Sequence, residues 1–452
     1  MPREMLHLQL RLLKINLALF SLVLLITTWQ LWITQTLFPQ VPFFSGILVL
    51  PAGLDWLTFL LMLSSSACIL GCVVAVWFRR IRDRELGPLF QKVCGGLFFS
   101  AFVVSVTFDQ HRLQPWAYQF AIGFLILTFL KPPRAIRLFR FFVISIYFYS
   151  ALSKCDASFV QTLGPQLVAG LFKGIDISTT YWSEQTMMRI AAFFPVAEFL
   201  IGLGLLIPRT RAWFFWFAVS MHLCLMIAVG PWGLNHQSGV LIWNVCFIIL
   251  DVCLFHSVFQ QNSLSKRNDS TESAGSDVDS SLSFHNVAVS ERGVLLLVWF
   301  AMLAPLLEPT GYFDHWPAWG LYASHHDRVT LLIDERAKSK LPPALQPFVD
   351  PPQPLSRWCR VRVDRWSLAE LGAPTYPQAR FQLGVAIAIG RTMHHENEKI
   401  AAHPQIKLLF EGAAHRLTGK RKVSEHIGLT QIEQLADQFR LNVVPRPFHG
   451  TE

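Results

Sequence analysis

The sequence predicts a polytopic all-α membrane helix bundle of about nine transmembrane helices, followed by a small α+β extracytoplasmic domain. Three observations carry this reading. Of the 452 residues, 52% are hydrophobic and only 15% are charged, whereas a soluble domain carries about 25% charged residues. Several apolar runs approach or exceed the roughly 18 residues that mark a membrane span. After Glu308 the composition changes to that of a soluble domain. A purely soluble enzyme is excluded. The net charge of +9 therefore raises the question of which side of a lipid bilayer holds the cations, and no nucleic-acid partner is expected.

In chain order, the apolar runs place spans at Ile15–Phe38, Trp56–Phe78, Val93–Phe108, Trp116–Leu130, Phe141–Leu152, Met187–Ile207, Ala212–Gly230, Val240–Phe255 and Gly293–Leu307. The first follows Arg3, Arg11 and Lys14, has no small-residue cleavage site, and reads as a retained helix. The third, fifth and ninth fall short of the roughly 20 residues that cross hydrocarbon, so they must extend into their flanks or sit where the bilayer thins. These runs divide the chain into a bundle over 1–258, a Ser- and Asp-rich linker over 259–292 expected to be disordered and cytoplasmic, a final span over 293–308, and an outer domain over 309–452.

Lys and Arg alternate along this topology. One set of connections holds Arg3, Arg11, Lys14, Arg79, Arg80, Arg82, Arg84, Lys92, Lys131, Arg134, Arg137, Arg140, Arg209, Arg211, Lys266, Arg267 and Arg292; the other holds only Arg112, Lys154, Lys173 and Arg189. Cytoplasmic loops are the cation-rich ones, so the N-terminus is expected in the cytoplasm and the C-terminal domain outside it. In that domain, alternation at Arg328–Ile333 and Cys359–Val363 predicts strands, and Pro377–Ile389 and Leu429–Phe439 carry helical patterns. Its length suffices for a core of its own.

Polar groups within spans are expensive and are the first places to look for function. Four regions stand out: Asp109 to Trp116, with His111 and Gln114; Tyr147 to Asp156, with Lys154; Glu198 and His222 within the sixth and seventh spans; and Asn235, His236 and Gln237 in the turn after the seventh. Each has a plain structural reading. Asp109–Trp116 fits an interfacial turn, Lys154 can pair with Asp156, and Glu198 can bond His222 across a helix hairpin. The sharper reading makes Lys154 a partly desolvated base or a donor to an oxyanion. The three outer groups map to one face and are expected to line one cavity roofed by the outer domain. Trp316, Trp319 and Tyr322 suit an interfacial anchor. His315, His325, His326, Asp327, His394 and His395 read as solvated polar turns, with no metal expected.

The stretch Arg137-Leu138-Phe139-Arg140, then Ile144 to Phe148, then Ala151-Leu152-Ser153-Lys154-Cys155-Asp156-Ala157-Ser158-Phe159 resembles the core of the HTTM membrane family, which includes vitamin K-dependent gamma-carboxylases. The Glu198–Gly202 helix ending at Pro208–Arg211, together with Met221-His222-Leu223, is similar to bacterial HTTM and DoxX-like proteins. The resemblance spans roughly Ile15 to Phe255. It implies Lys154 as the base that deprotonates a reduced quinone or vitamin K-like quinol, with Asp109, His111, His222 or His236 assisting. Gln114, Trp116, Tyr147, Glu198 and Asn235 would lie about that cofactor, and an extracytoplasmic protein or peptide would be the substrate. Where those enzymes carry a histidine before the fourth helix, this chain aligns Trp116. Two other expectations remain open: a DoxX-like component for quinone or thiol redox, in which Cys155 bridges Cys359, and a non-catalytic scaffold whose outer domain binds a partner.

Overall fold

The computed structural model describes residues 3–47, 51, 53–79, 86–236, 238–256, 288–393 and 405–448. Gln237, His394, His395, the cations at 80, 82, 84, 266 and 267, and positions 259–287 of the expected linker lie outside the described residues.

Among the described residues, eight helices are long and apolar enough to cross a membrane. They comprise α1 (Arg3–Thr27), α3 (Gly53–Arg79), α4 (Leu86–Phe108), α6 (Pro132–Lys154), α9 (Glu184–Leu206), α10 (Arg211–Val229), α11 (Ser238–Phe255) and α12 (Val289–Leu303), the last continued by a 3-10 segment to Thr310. A short α2 (Trp29–Trp32) follows α1, and α5 (Pro115–Phe129) is a ninth apolar helix. The membrane-spanning character read from hydropathy therefore stands.

Several boundaries move for physical reasons. The first helix starts at Arg3, not Ile15, and stops at Thr27. Its polar residues serve helix packing, with Gln9 Nε2 donating to the Cys253 carbonyl at 2.6 Å and Ser21 bonding Ser66 at 2.9 Å. The fifth span begins at Pro132 because proline suits the first turn of a helix. The last begins at Val289, inside the segment expected as linker. The fourth remains at 15 residues, about 22 Å long. It is apolar on all sides and packs against α1, α4, α6 and α12, so it forms the centre of the bundle and need not match the bilayer. Two helices escape the apolar runs: α7 (Ala157–Gln161) and α8 (Leu163–Lys173), which packs on α9 and α10.

The C-terminal region caps the end of the bundle opposite the N-terminus. Its antiparallel sheet has the order β2-β1-β3-β4, with β1 Arg328–Asp334, β2 Trp358–Arg360, β3 Ile406–Glu411 and β4 Val423–Ile427. Helices α13 (Val363–Leu371), α14 (Ala379–Met393) and α15 (Leu429–Gln434) accompany it. One apolar core runs without a break from bundle to cap, contrary to the expectation of a separate core. Phe38 packs at a tilt against Trp366 with centroids 4.6 Å apart, and His111 against Phe381 at 5.0 Å.

Polar bonds lock the same junction. Arg112 is fully buried; it pairs with Asp55 and donates to the Leu31 and Ile33 carbonyls at 2.9 and 3.2 Å. Arg446, from the end of the chain, reaches the other Asp55 oxygen at 3.0 Å. Two cations on one buried carboxylate, with the Leu31 and Ile33 carbonyls taking further Arg112 donors, offset much of what would otherwise be costly buried charge.

Candidate functional site

The Lys154 site forms where α6 and α9 pack together. Lys154 ends α6 on the capped side, and its Nζ lies 2.7 and 2.9 Å from the two Glu198 oxygens. Both side chains are about 95% buried. Ser150, one turn back, adds its Oγ at 2.6 Å and its carbonyl at 3.1 Å. This arrangement corrects two sequence readings. Glu198 pairs with Lys154 and not with His222, because α9 turns that face toward α6. Asp156 does not pair with Lys154: its Oδ1 caps α7 through the Phe159 N–H at 2.7 Å, while its Oδ2 faces His325 Nδ1 at 3.3 Å.

A second polar chain lies two turns deeper. Tyr147 Oη sits 2.9 Å from His222 Nε2 and donates to Asp251 Oδ2 at 2.7 Å, while His222 Nδ1 faces Asn244 Oδ1 at 2.8 Å. Asp251 and Asn244 are additional site residues. Asp251 was findable from sequence as a lone acid inside an apolar run; its Oδ1 is buried without a partner among the described residues.

Lys154, Glu198, Tyr147, His222 and Asn244 line a cavity of about 80 Å³, completed by Trp243, Phe247, Trp319 and Tyr322. Trp319 and Trp316 are buried inside the protein, so the expected interfacial anchor is instead a wedge. Trp319 packs on Tyr118 and Phe142 and holds a left-handed backbone, φ 65°. That conformation is unfavourable for a bulky residue and marks a position fixed by its surroundings. Its indole N–H is buried with no acceptor among the described residues.

Gln114, Trp116, Asn235 and His236 line a neighbouring cavity of about 280 Å³, which shares Val240, Trp243, Leu321 and Tyr322 as walls with the first. Asp109 and His111 line neither cavity. Asp109 caps the turn at Gln110–Arg112, and His111 Nε2 lies 2.8 Å from the Pro374 carbonyl in the bundle–cap junction. Burial raises the Asp109 carboxyl to about 6, against the pull of Arg112, and lowers His111 to about 4. The single outer cavity expected from sequence is thus three places: the Lys154 chamber, its annex, and a structural junction.

Cys155 is exposed and Cys359 buried, and both are free thiols, so no bridge joins them. Burial and the nearby Asp156 and Glu198 charges raise the Cys155 thiol despite Lys154 beside it. His315 and His325 do not form a solvated turn. His325 is buried, and both rings converge on Glu308.

Chemically, the Lys154 chamber offers a buried lysine–glutamate pair beside a tyrosine–histidine–aspartate chain, within largely apolar walls that include Trp319. No protein-family model, no curated protein and no solved structure matches the chain.

Proposed function

We propose that this chain is an HTTM-type membrane enzyme in which Lys154 takes a proton from a lipophilic hydroxyl substrate, first of all a reduced quinone or vitamin K-like quinol. The capped end faces away from the cytoplasm in this reading, since Arg3, Arg79, Arg134, Arg137, Arg209 and Arg292 gather at the other end. The observation that carries the proposal is the buried Lys154–Glu198 pair in the wall of an aromatic-lined chamber.

The chamber and its annex together reach the lower end of the roughly 300–1,000 Å³ typical of small-molecule sites. Their walls are aromatic and aliphatic, as a quinone ring requires. In a low-dielectric site the charged and neutral forms of an acid–amine pair lie closer in energy than in water, because desolvation penalises both charges. A proton can shift from Nζ to a Glu198 oxygen over the 2.7 Å contact. Nζ then accepts the substrate's hydroxyl proton and regains its charge beside Glu198. Tyr147, held between His222 and Asp251, provides a second relay on the chamber wall. A reduced quinone supplies the reducing power for oxygen-dependent chemistry, and gamma-carboxylation of a peptide glutamate is the specific version implied by the HTTM resemblance.

The test is incubation of purified protein in lipid discs with reduced quinone, oxygen, a glutamate-bearing peptide and labelled bicarbonate. Label enters the peptide with the native chain and not with Lys154→Ala. Incorporation that persists in Lys154→Ala refutes the assigned role.

A further inference from the structure

We propose that Glu308, His315 and His325 form a Zn²⁺ site with an open coordination position, separate from the Lys154 chamber and independent of its proposed chemistry. One ligand atom from each residue lies within 4.8 Å of the other two. His315 Nδ1 and His325 Nε2 approach the same oxygen, Glu308 Oε1, each at 2.7 Å. Three elements supply them: the 3-10 end of the last span, the loop after Gly311, and the segment leading into β1.

Hydrogen bonding alone describes this cluster poorly. His325 Nε2 must donate to Glu308 Oε1, yet Arg416 Nη2 lies 3.2 Å from the same nitrogen and is itself only a donor. His325 Nδ1 meanwhile faces Asp156 Oδ2 at 3.3 Å. Satisfying both carboxylates requires a doubly protonated ring that leaves Arg416 facing a second cation. A metal on Nε2 lets a singly protonated ring donate through Nδ1 to Asp156, the outer-shell arrangement that fixes metal-bound histidines. Arg416 remains engaged by Glu308 Oε2 at 3.0 Å, which leaves Oε1 for the metal.

Two histidines and one glutamate form a ligand set of catalytic zinc sites, in which three protein ligands leave one position for water or substrate. Around a tetrahedral Zn²⁺, ligand atoms lie roughly 3.3 Å apart, so the two short contacts need to open only slightly. The cluster lines a cavity of about 790 Å³ on the capped side, whose wall also holds His326, Asp327 and Arg416. His326 Nδ1 is buried there without a hydrogen-bond partner among the described residues. A small anionic or carbonyl-bearing ligand is the class that a zinc ion beside an arginine would take.

The experiment is competitive titration of the full-length, chelator-stripped protein in lipid discs with Zn²⁺ against a chromophoric chelator, alongside Co²⁺ absorption spectroscopy. The native chain binds one Zn²⁺, and Co²⁺ gives the visible bands of a nitrogen- and oxygen-ligated four- or five-coordinate ion. His315→Ala and His325→Ala each weaken binding at least 100-fold. Asp156→Asn, which keeps the α7 cap because asparagine serves equally well there, weakens it 10- to 100-fold. Binding that is absent in the native chain, or unchanged in both histidine variants, overturns the assignment. Unchanged binding in Asp156→Asn with native melting overturns the outer-shell part.

Discussion

Removing one partner of the Lys154–Glu198 pair should destabilise the fold far more than removing both. The two side chains are about 95% buried and make two contacts of 2.7 and 2.9 Å. A buried charge stripped of its partner costs about 3–5 kcal/mol, whereas replacing the whole pair by apolar groups of similar volume is often neutral or stabilising. The structure ranks the single variants. Glu198→Gln leaves Lys154 with both Ser150 acceptors and belongs near 3 kcal/mol. Lys154→Met leaves Glu198 with no other hydrogen bond among the described residues and belongs near 5 kcal/mol. The double variant Lys154→Met/Glu198→Leu should fall within about 1 kcal/mol of the native chain. Reversible denaturant unfolding in mixed micelles, run as a double-mutant cycle, measures all four corners. A double variant as unstable as the worse single one, or single variants costing under about 1 kcal/mol, would refute a tightly coupled buried pair.

Three further outcomes follow from the junction and the thiols. Asp109, raised to about 6, holds its proton more tightly when folded, so its contribution to stability is lost as pH rises from about 4 through 6. His111, lowered to about 4, loses its contribution as pH falls from about 6.5 through 4. Each is worth about 3 kcal/mol and the two oppose one another. Relative to the native chain, the melting temperature over pH 4–6.5 should rise more with pH in Asp109→Asn and less in His111→Gln; profiles parallel to the native one would contradict this. Gly384→Ala drives a methyl into the Val443 carbonyl oxygen and within 2.8 Å of Val41, which should cost about 1–3 kcal/mol in melting experiments; an unchanged melting temperature would show that this contact is loose. Finally, maleimide should label Cys155 without reductant and Cys359 only after unfolding, and equal protection of both would restore the bridge.

Hydropathy made the spans legible because bilayer thickness imposes one length on lipid-facing helices. It could not show that Pro115–Phe129 is short because protein surrounds it, nor that Arg3 to Lys14 continues a helix, since those polar side chains read as flank until their partners Cys253 and Gln91 are known. Lys154, Glu198, Tyr147 and His222 were each visible as polar residues in the wrong solvent. Their pairing was not, because one sequence does not reveal which helix faces meet. Asp156 illustrates the limit: beside Lys154 in sequence, it caps a helix and turns to His325. Trp319 looked like an interfacial aromatic, but a loop with φ 65° drives it into the bundle. Backbone strain of that kind leaves no mark on residue type.

Lys154→Arg tests the central claim most directly. Arginine preserves the charge opposite Glu198 but does not deprotonate in proteins, so it separates holding the fold from moving a proton. The measurement is oxygen uptake by the purified chain in lipid discs on addition of a reduced naphthoquinone, with melting temperature recorded alongside. Native protein should consume oxygen above the empty-disc rate, and Lys154→Arg should melt normally yet fall to that baseline. Uptake at the native rate in Lys154→Arg, or none in the native chain, would contradict the account.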